Sequence, residues 1–300
     1  MLRLNEDLGA FVELIYAKKF QPQKSQTGEI AESLRLWLDT ESSDDPVMEQ
    51  SRIFLLNLAD AMLQKGRPVK LSPPRVNSTL TLKAQNRPAS LALVRVKASG
   101  SSLLPYEAHV KAEARLAAAL VHWLRESFGD EESIFVACPH RIQRSAVRQA
   151  ILSPGEDWGS DQVEEAGPES DVDALAAELA AFHVSERGLR IDTVERLQGK
   201  VHQDLAYVSY IFLGSEASFV IFLLSHTHGP SLSNHLEFLL SRRRLNVGIS
   251  RAKVLCIMVS SRGVLQPSLE VLAKEESRQG LEFLRAYEDR AWAGEITLDV

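Results

Sequence analysis

Two stretches of this 300-residue chain concentrate the residue types that can do chemistry. The first is Ile191-Asp192-Thr193-Val194-Glu195-Arg196-Leu197-Gln198-Gly199. The second is Arg243-Arg244-Leu245-Asn246-Val247-Gly248-Ile249-Ser250-Arg251-Ala252-Lys253, which runs straight into the apolar segment Val254–Ser260. Phosphoryl transfer to water needs groups that position phosphate oxygens and cancel their charge. A guanidinium does both, because it stays ionised and grips two oxygens at once. On a rigid connection over Asn246–Ala252, Arg251 would be held firmly enough to point at a neighbouring surface. Taken without their neighbours, Arg242–Arg244 read as a solvated basic helix end and Arg251 as half of a surface ion pair.

Competing chemistries are poorly supplied. His226 and His228 stand two apart with no third ligand nearby, so no metal site is expected. Gly248-Ile249-Ser250-Arg251-Ala252 lacks the second glycine of a nucleophile elbow. Gly129-Asp130-Glu131-Glu132-Ser133 carries an Asp-Glu pair of the kind that holds magnesium at a strand end, but it follows a helical pattern and reads as a helix-terminating loop. The phosphate-wrapping loop G-x-x-x-x-G-K-S/T does not occur, since Gly199-Lys200 is followed by Val201.

The two stretches resemble the last two motifs of superfamily 1 helicases, in the branch of the nonsense-mediated-decay helicases and the replication helicase–nuclease. That branch typically reads DTVxxxQGxE and RRLNVAxSRA at these places. Val136-Ala137-Cys138-Pro139-His140-Arg141-Ile142-Gln143 is similar to its strand-Pro-Tyr-x-x-Gln motif, with His140 in place of the tyrosine. Leu2-Arg3-Leu4-Asn5 is similar to the end of its Tyr/Phe-Arg-Met-His/Asn motif, with Leu2 in place of the aromatic. The resemblance spans nearly the whole chain but only the second RecA-like domain of the family.

That resemblance implies an α/β fold: a RecA-like, P-loop-NTPase-type parallel sheet with helices on both faces and no Walker A loop. It implies ATP with Mg2+ as cofactor, bound only together with a first RecA-like domain expected N-terminal to Met1. Arg251 would be the arginine finger and Arg3 a second γ-phosphate contact, while Gln198, Glu216 and Gln143 would lie on the nucleotide. Thr193 and Arg141 would face single-stranded DNA or RNA. By itself the chain is then expected to show no appreciable ATPase or unwinding. The alternative is a non-catalytic nucleic-acid-binding or regulatory helicase relative, or the fragment of an incomplete gene model.

The elements that must position these residues follow from hydrophobic period. Helical spacing is expected over Glu6–Phe20, in a short Leu34–Leu38 turn, and over Val47–Lys65 before Gly66. Strands are expected at Ser90–Val96, Ser133–Cys138, Leu189–Thr193, Ser218–Ser225 and Val254–Ser260. Helices are expected at Tyr106–Phe128, Gln143–Leu152, Ser233–Leu240, Asn246–Ala252 and Leu269–Trp292. Continuous apolar strands alternating with helices point to a parallel sheet covered on both faces. Residues 1–75 read as a helical and irregular lead-in, and 76–300 as the RecA-like domain.

Composition agrees with a folded chain and narrows the setting. Apolar residues at 45% and charged residues at 25% exclude wholesale disorder and collagen-like structure. Cys138 and Cys256 cannot build a disulfide framework, which suggests a reducing compartment, nucleus or cytoplasm. Met1–Asn5 has no apolar core of a signal peptide. The net charge of −6 hides an uneven distribution, because residues 149–186 hold ten acids and no Lys or Arg. The remaining chain is mildly basic, which is compatible with phosphate partners. The acidic part, about 153–173, reads as a surface loop.

Leu205–Ser225 imitates a membrane span, but Glu216 in its middle would cost roughly 2.5–3.5 kcal/mol at a bilayer centre. Two buried strands separated by a turn fit it better, and no membrane association is expected. Joining Gln198 to Gly214 restores the helicase pattern as VERLQ-GSEASFVIFLLS. Residues about 199–213 therefore read as an in-frame insertion, either a retained short intron or a natural loop insertion.

Overall fold

Short apolar runs with both faces buried can only be satisfied by helices above and below a sheet. The computed structural model describes residues 8–11, 13, 27–63, 90–99, 105–152, 188–194, 216–225 and 233–300. Arg3, Gln198, His226, His228, the acidic 153–173 segment and the suspected 199–213 insertion lie outside the described residues.

Among the described residues the strands are β1 (Leu91–Ser99), β2 (Ile134–Cys138), β3 (Leu189–Thr193), β4 (Ala217–Leu224), β5 (Ala252–Ser261) and β6 (Trp292–Asp299). They form one sheet in the order β3-β2-β4-β5-β1-β6, with every pairing parallel. The helices are α1 (Thr27–Leu38), α2 (Pro46–Leu63), α3 (Tyr106–Phe128), α4 (Arg141–Leu152), α5 (Ser233–Leu239), α6 (Arg242–Ile249), α7 (Arg262–Leu265), α8 (Leu269–Leu272) and α9 (Glu275–Glu288). This is the α/β RecA-like layout expected from the sequence.

Side-chain alternation splits each strand between two cores. Ile134, Val136, Ile221, Leu223, Ile257 and Val259 face α1 to α4. Phe135, Val220, Phe222, Cys256 and Met258 face α5, α6 and α9. Leu8 and Phe11 join the second core, where the Phe11 ring meets Phe283 at 5.0 Å and Tyr287 at 5.5 Å. Buried Tyr287 in turn places its hydroxyl 3.0 Å from the Ala92 carbonyl and 2.9 Å from that of Cys256, tying α9 to the two adjacent strands.

Three features depart from the expected elements. The stretch before Val47 holds a three-turn helix, α1, with Thr27, Ile30, Ala31, Leu34 and Leu38 on one buried stripe. It packs with α2 into the same core as β1 and β6, so residues 27–63 are part of the sheet's helical layer. The expected helix over Leu269–Trp292 is broken into α8 and α9, and its end is instead the edge strand β6. There Ile296 and Leu298 are buried while Glu295 and Asp299 are exposed, a period-2 pattern that a helix cannot satisfy. Finally, α6 begins at Arg242 and ends at Ile249, ahead of the expected Asn246–Ala252 helix, which leaves Arg251 on the turn into β5.

Candidate nucleotide and nucleic-acid edges of the sheet

A parallel sheet gathers all strand starts at one edge and all strand ends at the other, and the candidate residues divide between them. At roughly 3.3 Å per residue, the eight residues of β4 separate the two edges by about 23 Å.

Glu216 and Arg251 meet at the amino edge. Each directly precedes its strand, and the Ala217 amide donates to the Arg251 carbonyl at 2.9 Å. The pairing of β4 with β5 slips between Ala217 and Phe219, opposite Ala252 and Leu255 respectively, so β5 carries an extra residue at this point. Such a bulge re-aims side chains, and Lys253 Nζ lies 3.9 Å from Glu216 Oε2. Arg251 is half-buried and its Nε is enclosed. Behind them the Ser218 amide donates to Ser133 Oγ at 2.9 Å, joining the start of β4 to the start of β2.

The Asp130–Glu132 loop follows the end of α3, as expected of a helix-terminating loop. Gly129 has φ 71°, a conformation that favours glycine. Arg125 Nη1 donates to the Gly129 carbonyl at 3.2 Å and contacts Asp130 at 3.3 Å. Gly188, at φ 69°, approaches this loop so closely that a β-carbon would sit 3.4 Å from the Asp130 and Glu132 carbonyl oxygens.

Thr193 and Arg141 lie at the carboxyl edge. Thr193 ends β3 opposite Cys138 and is buried, with its amide donating to Asp192 Oδ1 at 2.8 Å. Asp192 is flanked by Arg144 at 3.4 Å and Arg190 at 3.5 Å. Arg141 opens α4 and is exposed. Gln143, two residues on in the same turn, is buried and donates through Nε2 to Glu113 Oε2 at 3.0 Å. It therefore sits at the opposite edge from Glu216 and Arg251. Burial, reinforced by the charge of Glu113, pushes the Tyr106 phenol up to about 12, so it stays protonated.

Residues that the sequence reading did not assign also come together here. His140 stacks on Phe238 at 4.7 Å and 25°, and the Arg244 guanidinium lies 3.6 Å from the centre of the same ring. His235 is 5.5 Å from His140 and meets Tyr106 edge-on at 6.4 Å. No sequence pattern announces this cluster, because α3, α5, α6 and the β2–α4 turn each supply part of it.

Among the described residues no group of three or more His, Cys, Asp or Glu could hold a metal ion. Both thiols are raised out of reactive range by burial, Cys256 to about 12, with the Tyr287 hydroxyl pulling the other way. No helix among the described residues is long and apolar enough to cross a membrane, and Ala217–Leu224 of the apolar 205–225 stretch is a central strand.

Residues 60–263 match the family described as AAA domain. The chain belongs to that family. The AAA domain group is a helicase-type P-loop family found in superfamily 1 helicases. No curated protein matches the chain significantly. The region matched to the AAA domain runs from the end of α2 through β5 into α7, and so includes both sheet edges.

Proposed function

We propose that this chain is the second motor lobe of an ATP-dependent superfamily 1 helicase, carrying the arginine finger and the motifs that couple nucleotide to nucleic acid. The observation that carries the reading is the position of Arg251. It lies on the turn between α6 and the central strand β5, hydrogen-bonded through its carbonyl to Ala217 and next to Glu216. A side chain on so short a turn, anchored to two central strands, is held well enough to meet a phosphate on a facing lobe.

The amino edge fits part of an ATP site. Arg251 and Lys253 would take phosphate oxygens and Glu216 would orient a polar group of the nucleotide. The residues present do not fit magnesium, since no carboxylate cluster occurs among the described residues. Bound Mg-ATP would supply the scissile γ-phosphate, and the phosphate loop and metal ligands would come from a first RecA-like lobe. Arg3 and Gln198 would add to this edge by resemblance to the helicase motifs. Thr193 and Arg141, at the carboxyl edge, would contact the backbone of a single strand of DNA or RNA. Separation of the two edges by a rigid sheet lets opening and closing of an interlobe cleft be felt at both.

The test is ATP turnover by the purified chain, alone and mixed with a phosphate-loop lobe of the same helicase type. We expect none alone and oligonucleotide-stimulated turnover in the mixture. Turnover by the chain alone would contradict the half-site reading. Nucleic-acid binding without turnover in the mixture would favour a non-catalytic binding relative, the reading suggested by the lack of a G-x-x-x-x-G-K-S/T loop.

A further inference from the structure

The helical pair α1 and α2 lies ahead of the residues matched to the AAA domain family, apart from the last turn of α2. It is also where large apolar side chains reach solvent. Among the described residues five such side chains are exposed, and three stand here: Leu36 at 72%, Trp37 at 50% and Ile53 at 44%. We propose that the outer face of this pair is a docking site for a basic amphipathic helix of a partner protein. Leu36, Trp37 and Ile53 would take the apolar stripe of that helix, and the carboxylates beside them its Lys and Arg side chains. The proposal is independent of the motor reading given above.

Three observations carry it. The first is direction. Leu36 is two residues from buried Leu34 and from buried Leu38, and Ile53 is two residues from buried Ser51 and from buried Leu55. Two residues turn a helix by about 200°, so Leu36 and Ile53 both point away from the core. The helices are held level at this point, because Arg52 Nη1 donates to the Leu38 carbonyl and Arg35 reaches Asp60 at 3.4 Å. Packed helices stand about 8–10 Å apart. That matches the rise of about 10 Å between positions i and i+7 of a third helix laid across them, so one apolar stripe can meet Leu36 and Ile53 together.

The second observation is charge. Residues 27–45 contain six acids and one base, Arg35. Arg35 is turned to Asp60, Arg52 to Glu49 at 2.6 Å and Arg115 to Asp45 at 2.7 Å. Exposed Glu32 lies one turn before Leu36, and exposed Asp39, Glu41 and Asp44 follow Trp37. This field repels nucleic-acid phosphates and anionic lipid alike and favours a cationic protein segment. The third is the end of α1. The helix dipole is negative there and favours cations, yet Asp39 and Glu41 add further negative charge. Trp37, in the last turn, offers its indole face to a guanidinium or ammonium group, and Thr40 Oγ1 donates to the Trp37 carbonyl at 3.2 Å, fixing the helix end.

The experiment is fluorescence anisotropy on the whole chain with a panel of labelled peptides of about 18 residues, five helical turns. Each carries Leu at helical spacing with Arg or Lys elsewhere. One control peptide replaces every Leu by Ser, and another replaces every basic residue by Glu. At least one Leu/Arg peptide should bind, with both of its controls weaker by about tenfold or more. Trp37→Ala should weaken that peptide by about tenfold, with a thermal melt to show that the fold is kept. Ile53→Ser, and Glu32→Lys combined with Glu41→Lys at exposed positions, should also weaken it. Equal binding of the Ser control would reduce the effect to attraction by acidic surface, and would overturn the docking site. Variants that bind like the parent, or a panel in which no peptide binds, overturn it as well. Trp37-dependent binding to phosphatidylserine vesicles, or Trp37-dependent self-association in sedimentation, would give the face a different occupant and also defeat the proposal.

Discussion

At the scale of single residues, Gly248 shows how one position answers to its neighbours. The helicase pattern carries alanine here, and alanine would raise helix propensity by up to about 1 kcal/mol. Yet a β-carbon on Gly248 would lie 2.9 Å from two atoms of the Phe222 ring, which is 1% exposed and cannot swing away. Overpacking a fixed core costs about 1–3 kcal/mol, so the clash wins. Gly248→Ala is expected to lower stability in urea by roughly 1 kcal/mol, and to become neutral or stabilising when combined with Phe222→Leu. If Gly248→Ala is stabilising in the parent background, the contact does not govern the position. The departure from the pattern is visible in the sequence, but its cause is not, because Phe222 comes from a neighbouring strand. Gln143 makes the same point. The helicase resemblance implies a nucleotide contact for it, and only the arrival of Glu113 from α3 shows which partner its side-chain amide takes in the fold.

At the scale of elements, α2 owes its start to Asp45. One carboxylate oxygen accepts the Val47 and Met48 amides at 2.8 and 2.9 Å, and the other accepts Arg115 at 2.7 Å. Burial pushes this carboxyl up, but the amides and the guanidinium outweigh it and hold it below the usual range. Its folded value is therefore depressed, so the stabilisation is present above the ordinary carboxylate range, near pH 4, and is lost as pH falls through the folded value. Asp45→Ala should cost about 1 kcal/mol near neutrality. Asp45→Asn, which can still cap, should flatten the loss of urea midpoint on acidification, and an unchanged acid slope would remove Asp45 from this account. The helix itself was legible from its apolar period, since the sequence predicts Val47–Lys65 and the structure has Pro46–Leu63. The strand β6 was not. Its two deeply buried residues, Ile296 and Leu298, are too few to announce a period, and the strand exists because α2 and β1 offer it a place. Gln50 completes that place, its side-chain amide pairing with both the carbonyl and the amide of Thr297 at 3.2 and 2.8 Å.

At the scale of the whole molecule, the fold was largely written in the alternation of apolar strands and helices, and five of the six strands among the described residues fall where period places them. The candidate site was legible as motifs but not as geometry. A linear pattern does not say that Glu216 and Arg251 share one edge, that Thr193 and Arg141 share the other, or that Gln143 goes with the second pair. Those assignments come from parallel pairing and from the bulge beside Lys253. The same enclosure of the core predicts that Cys138 and Cys256 resist alkylation at pH 8 and react together only on unfolding, because burial raises both thiols well above that pH. Rapid labelling of either in the native protein would contradict the packing at the middle of the sheet. The central claim concerns Arg251, and ATP turnover with the phosphate-loop lobe present measures it most directly. Arg251→Ala should reduce turnover by about a thousandfold or more while oligonucleotide affinity stays within a factor of about two. Turnover equal to that of the parent chain would show that this guanidinium does not meet the phosphate, and would contradict the account.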